Sequence, residues 1–183
     1  MLLRRAVTGA HGRAFAIVLL ISAIHVNEIR AAELSLLLEG DKPHFFLNSL
    51  AGESISLAVQ GDRVVLVHFF ATWCEPCRAE MFALQRLADR FARRPLTILA
   101  IDVGEVDSRV RRFFETLPVT FPILLDRDKA VTKAWQVSTL PTTFVLDRTF
   151  SPRFMVEGDF DWDRSDAHHA LDVLINAKAA PRE

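Results

Sequence analysis

The sequence predicts a three-layer α/β/α fold around a mixed central sheet. Three observations carry that expectation. Apolar runs of strand length at residues 64–70 and 96–101 alternate with segments of helical pattern. A further β-type run at 119–125 continues the alternation. The last two strands lie in the second half of 137–147 and at 153–157, and only a short turn at 149–152 joins them. They therefore pair antiparallel and make the sheet mixed.

The chain has 183 residues, which suits one domain plus a leader. Half of them are apolar, so a full core can form. The net charge is −1, with 22 Lys and Arg against 23 Asp and Glu. That balance gives no global argument for nucleic acid or for an anionic membrane surface, and no nucleic-acid partner is expected. Residues 1–32 read as a signal peptide or an N-terminal membrane anchor, and residues 33–183 as the folded domain. Arg4, Arg5 and Arg13 precede an uncharged apolar run at 14–24. That run is short of the roughly twenty residues that span a bilayer. Ala31 and Ala32 offer a cleavage site, although Arg30 fits it badly. Either form of leader puts the domain outside the cytoplasm, where disulfides persist.

In chain order, residues 33–40 read as a spacer or a loosely docked end. Short β-type pieces at 42–47 and 54–57, with Ala51, Gly52 and Glu53 as the turn, predict an N-terminal hairpin. A helix is expected over 76–93. Its Met81, Leu84, Leu87, Ala88 and Phe91 fall on one apolar face, read as core. Residues 102–108 read as a charged turn, with Asp107 or Ser108 capping a helix over 109–117. Asp126, Arg127 and Asp128 end the next strand without chemistry of their own, and Asp128 caps a short helix over 129–135. Asp163 is the expected cap of a last helix over 164–178. The inner face of that helix is Ala167, Leu171, Leu174 and Ile175. His168 and His169 point about 100° apart on it, a poor chelate, and read as a solvated face.

The chemistry concentrates where the first buried strand turns into the first long helix. There Cys74, Glu75, Pro76 and Cys77 occupy the turn. A cysteine at a helix N-terminus meets free backbone N–H groups and the positive end of the helix dipole, and both stabilise a thiolate. The thiolate is the form that attacks disulfides, so the spacing reads as a thiol–disulfide exchange site. Cys74 attacks, and Cys77, one helical turn on, resolves the mixed disulfide. Pro76 suits the first helical turn, where its missing N–H has no intrahelical partner to lose. The blander readings are weaker. These are the only two cysteines, whereas a structural zinc site needs four ligands. A structural disulfide closing so short a loop would constrain the unfolded chain little.

The stretch from Phe70 through Trp73, Cys74, Glu75, Pro76 and Cys77 to Met81, together with Leu140, Pro141 and residues 142–147, resembles the thioredoxin superfamily. Within it, the chain is most similar to the extracytoplasmic TlpA/ResA-like thiol–disulfide oxidoreductases, over residues 43–177. The resemblance implies a thioredoxin-like fold with a helix–strand insertion at 107–125. It implies that Pro141 is cis and packs against the dithiol turn, leaving the backbone at Leu140 free to pair with a substrate segment; an ordinary trans proline is the alternative. Glu80 stands where ResA-like members carry an acidic residue that tunes the cysteines. It would raise the Cys74 pKa and exchange a proton with Cys77, or else be a solvated first-turn glutamate. Glu75 acts in the same direction or is a surface residue. Trp73 shapes the contact surface around Cys74. His68 departs from the family, which has an aspartate or an asparagine there. It reads as a proton relay for Cys77 or as a neutral core residue. Phe70, in place of tryptophan, reads as a packing change.

The expected function is that of an extracytoplasmic, bacterial periplasmic enzyme. It would reduce disulfides in partner proteins such as apocytochrome c or metal-site assembly proteins. A membrane thiol reductase of the CcdA or DsbD type would recharge it. No cofactor is expected. The alternatives are a disulfide-forming oxidant, or a copper-handling protein using both thiolates and His68. A thiol peroxidase is weaker, because the stretch before Cys74 lacks the Pro-x-x-x-Thr-x-x-Cys spacing.

Overall fold

A computed structural model describes residues 33–36 and 42–177. The leader at 1–32 and Lys178, the expected end of the last helix, lie outside the described residues; the helix itself ends at Asn176. Among the described residues no helix is long and apolar enough to cross a membrane.

Every residue of β4 (Val64–Phe70) is buried, as a central strand requires when both of its faces are covered. It pairs in parallel with β5 (Leu96–Val103), which pairs in parallel with β6 (Ile123–Asp126). On its other side β4 pairs antiparallel with β7 (Thr142–Leu146), and β7 with β8 (Pro152–Glu157). The two-residue β1 (Ser35–Leu36) closes that edge, so among the described residues the sheet has six strands in the order β1-β8-β7-β4-β5-β6. The mixed sheet expected from the sequence is therefore present. Residues 35 and 36, expected as spacer, are instead an edge strand. Their backbone groups meet the outer edge of β8 at Phe154 and Met155. The expected hairpin is β2 (Phe46–Asn48) against β3 (Ser54–Ser56).

Among the described residues four α-helices and the hairpin cover the sheet. Strand residues alternate between faces, so Val64, Leu66, His68 and Phe70 share one face, and Val65, Val67 and Phe69 the other. The first face packs under α1 (Glu75–Arg90), α2 (Asp107–Thr116) and α4 (Ser165–Asn176). The second packs under the hairpin, the turn at Leu57 and the region of α3 (Ala130–Ala134). Its centre is aromatic. The rings of Trp135 and Phe144 are 5.2 Å apart and those of Phe69 and Trp135 5.6 Å apart, while the indole N–H donates to the Pro43 carbonyl at 3.0 Å.

Several local expectations are corrected. Asp102 and Val103 belong to β5, so the turn shortens to residues 104–106. α2 begins at Asp107 without a side-chain cap, because the Asp107 carboxylate faces Arg127 instead (2.8 and 2.6 Å). Asp163 does not cap α4; it pairs with Arg86 of α1. The strand expected over 119–125 starts only at Ile123. Asp128 accepts from the Ala130 amide, but Asp126 does more of the capping of α3: it takes the amides of Val131 and Thr132 and the Thr132 hydroxyl. His168 is half-buried against the Phe91 ring rather than solvated.

Candidate active site

β4 ends at Phe70, and the chain turns through residues 71–73 into α1. Cys74 is the N-cap of that helix, in extended conformation, with Pro76 in its first turn. The Cys77 amide points back at the Cys74 sulfur at 3.3 Å. This is the helix-terminal donor that the sequence placed there. The two sulfurs form a disulfide of 2.06 Å. Cys74 keeps 6 % exposure while Cys77 has none, so an incoming sulfur meets Cys74 first. Trp73 beside it is 69 % exposed. Glu75 and Pro76 are exposed too and make the rim of the turn.

The sheet brings Pro141 to the same place. Phe69 pairs with Thr142, and the antiparallel register carries Pro141 and Leu140 towards Phe70 and Ala71. The Leu140–Pro141 bond is cis, Pro141 is buried and Leu140 half-buried.

Beneath the dithiol lies a buried polar layer on the α1 side of the sheet. Glu80, one turn after Cys77, is 2 % exposed, which removes the reading of a solvated first-turn residue. Burial pushes its carboxyl up to about 8; the indole N–H of Trp162, donated at 2.5 Å, opposes the rise, and the charge of Asp159 adds to it. At neutral pH Glu80 is therefore mostly the uncharged acid, able to give up a proton. His68 lies across β4–β7 from Thr143, and its Nδ1 meets the Thr143 hydroxyl at 2.8 Å. Burial lowers its pKa to about 3. The 4.0 Å approach of His68 Nδ1 to Glu80 Oε1 is thus a contact of two uncharged groups and not an ion pair. The neutral state fits the core reading of His68; a relay would have to pass the proton without holding a charge.

A second acidic group stands at the C-terminal end of β5, and the sequence reading passed over it as a turn. Asp102 is buried opposite Phe70. Burial first, and then the neighbouring Glu105, push its carboxyl up to about 8. Glu105, also buried, accepts from the amide of Thr72 at 2.5 Å and from its hydroxyl at 2.8 Å. Trp162, Asp102, Glu105 and Thr72 were all missed. An Asp and a Glu three apart at a strand end are the only local hint, and nothing near residue 162 points to residue 80. Among the described residues no group of three or more His, Cys, Asp or Glu is placed to hold a metal ion.

Comparison with known proteins agrees with this geometry. The model of the AhpC/TSA family matches residues 40–150. The thiol-disulfide oxidoreductase ResA of Geobacillus kaustophilus is 33 % identical over 126 residues, 69 % of this chain and 72 % of that one. ResA of Bacillus subtilis is 35 % identical over 121 residues, 66 % and 68 % of the two chains. A solved thiol:disulfide interchange protein of the thioredoxin family from Chlorobium tepidum superposes with a TM-score of 0.67 at 22 % identity. It covers 78 % of this chain and all of that one, and it shows the shared fold.

Proposed function

The chain belongs to the AhpC/TSA family and is a thioredoxin-like thiol–disulfide oxidoreductase of the ResA type, and from that premise we propose that it works as a reductase of disulfides in partner proteins outside the cytoplasm. The observation that carries this reading is the pair of uncharged groups behind the dithiol, buried Glu80 and buried His68. A strongly oxidising dithiol owes its potential to a stabilised thiolate. Here neither neutral His68 nor Glu80, an uncharged acid at pH 7, offers a positive charge to a thiolate, and where Glu80 ionises, above about pH 8, it opposes one. Both push the disulfide towards the reducing end of the scale.

In the proposed cycle the Cys74 thiolate attacks one sulfur of a substrate disulfide. The S–S bond breaks, the other substrate sulfur leaves as a thiolate and takes up a proton, and a mixed disulfide remains. Cys77 gives its proton to water, or to Glu80 in the fraction of molecules where that carboxyl has ionised, and attacks the Cys74 sulfur. The Cys74–Cys77 disulfide closes and the second substrate thiol is released. Two electrons have passed to the substrate with two protons, and a thiol reductase must return them. Leu140 offers backbone for an extended substrate segment, with Trp73, Glu75 and Pro76 around the attacking sulfur. Apocytochrome c or metal-site assembly proteins as substrates, a CcdA or DsbD-type donor and a leader that is either a signal peptide or an N-terminal anchor belong to the same reading.

Equilibration of the domain with graded thiol buffers tests the direction. A potential near about −270 mV supports the reductase, and one near about −120 mV makes the protein an oxidant. Cys77→Ala should in addition trap a mixed disulfide with the substrate; without such an adduct the resolving role is wrong.

A further inference from the structure

The Asp102–Glu105 pair is buried, acidic and unused by the exchange reaction itself. Its placement is specific. Asp102, the last residue but one of β5, lies on the α1 side of the sheet, level with Phe70, the last residue of β4. The chain then turns through Gly104, whose φ of +75° is a conformation glycine adopts readily, and brings Glu105 back towards β4. The Glu105 amide donates to Asp102 Oδ1 at 3.0 Å, while Asp102 Oδ2 has no hydrogen-bond partner. The two oxygens of Glu105 each take one polar group of Thr72: Oε2 the amide and Oε1 the hydroxyl. Thr72 is two residues before Cys74, in the segment whose Ala71 carbonyl accepts the Cys74 amide at 3.2 Å.

We propose that Glu105, with Asp102 behind it, is the positioning device of the dithiol turn: it holds the backbone between β4 and Cys74, and the pair releases that hold when its second carboxyl ionises. The inference rests on the reading of Cys74 as the attacking sulfur. The charge balance gives the reason for the release. With one charge on the pair, Glu105 is an ionised acceptor for two donors, the stronger kind of hydrogen bond. With two charges, adjacent carboxylates repel in a buried site. The groups around the pair are Thr72 on the dithiol turn, Arg109 and Asp107 on α2, and Lys129, whose side chain packs on Gly104, between the two residues in the chain. Arg109 lies 3.5 Å from Glu105 Oε1 and is largely exposed, so solvent weakens its compensation. The charge of Asp107 adds to the repulsion on Asp102. The device therefore holds at neutral pH and weakens in alkali, where burial and the neighbouring carboxylate oppose the second charge.

Two measurements test it. In the first, the reduced protein is alkylated from pH 5 to 10 and the modified cysteine is located by mass. Thr72→Val removes the hydroxyl tie without changing charge. The turn loosens, the Cys77 amide serves the Cys74 sulfur less well, and the thiolate fraction at pH 7 should fall about threefold, half a pKa unit. Thr72→Ser keeps the hydroxyl and should follow the parent protein. A Thr72→Val profile that superposes on the parent, or equal shifts for both variants, overturns the proposal. The second uses amide exchange of Thr72, corrected for intrinsic rate. Protection at pH 7 should drop by pH 9 in the parent and persist in Asp102→Asn. Unchanged protection in the parent, or an equal loss in both, overturns it. If Cys77 is the cysteine alkylated first, the attacking role of Cys74 fails separately, and the amide exchange alone decides the positioning role.

Discussion

Asp102 and Asp126 lie at the C-terminal ends of neighbouring parallel strands, next to last in β5 and last in β6, and both are buried, yet they are solved in opposite ways. Asp126 faces the α3 side and collects three donors, two amides and a hydroxyl, all within residues 131 and 132. Asp102 faces the α1 side, has one donor from the Glu105 amide, and leaves its second oxygen without a partner. The contrast extends to the two faces of the sheet. The α3 face is a cluster of interlocked rings with one satisfied carboxylate, the usual terms on which a core accepts a charge. The α1 face holds His68, Glu80 and Asp102, each with an unpartnered buried atom, and all three lie near the dithiol turn. One face is built for stability. The other carries polar groups whose protonation the fold has shifted, which is how sites of proton-coupled chemistry are made.

Substitutions can break this division. The largest effect is expected from Phe144→Ala, which empties the centre of the ring cluster and should cost about 3–5 kcal/mol of stability. The Cys74 alkylation profile of the molecules that remain folded should stay unchanged. Denaturant unfolding beside the alkylation profile checks both halves. A shifted profile would mean that the faces are not separate. Glu80→Gln is the converse. It should leave the fold intact and lower the apparent pKa of Cys74, the gain in thiolate appearing at about pH 8 and above, where the parent's Glu80 ionises and its carboxylate opposes the thiolate. A thiol titration that does not move would remove Glu80 from the chemistry.

The smallest and sharpest test concerns the two aspartates themselves. A carboxyl whose folded pKa is raised to about 8 holds its proton while the unfolded chain has lost it. Asp102 therefore reduces stability progressively as pH rises from about 4 to about 8, and Glu80 does the same. His68, lowered to about 3, acts oppositely, and stability falls as pH drops from about 6.5 to about 3. Asp102→Asn should accordingly flatten the decline between pH 5 and 8. Asp126→Asn should cost about 1–2 kcal/mol through weakened capping of α3. Urea unfolding across pH separates them. Equal behaviour of the two variants would erase the contrast drawn between these aspartates.

Much of this molecule was legible along the chain. The central strand at 64–70, the following helix with its inner Met81, Leu84 and Leu87, the hairpins and the dithiol at a helix start all rest on local periodicity and spacing. Local patterns fix such features because neighbouring residues decide them. The helix starts were read less well. Asp107 and Asp163 look like caps in sequence, but each had a distant arginine available, and a charged partner competes with the backbone for the same oxygens.

What the sequence determined by itself is the reaction class: two cysteines at this spacing, between a buried strand and an amphipathic helix, make a redox dithiol. Tertiary structure decided which groups surround that dithiol. Trp162 lies 82 positions from the Glu80 it donates to, and Glu105 lies 33 from Thr72. Such pairs meet only through strand register and the packing of loops over the sheet. The charge of Glu80, His68 and Asp102 depends on burial, and burial belongs to the whole fold rather than to any stretch of it.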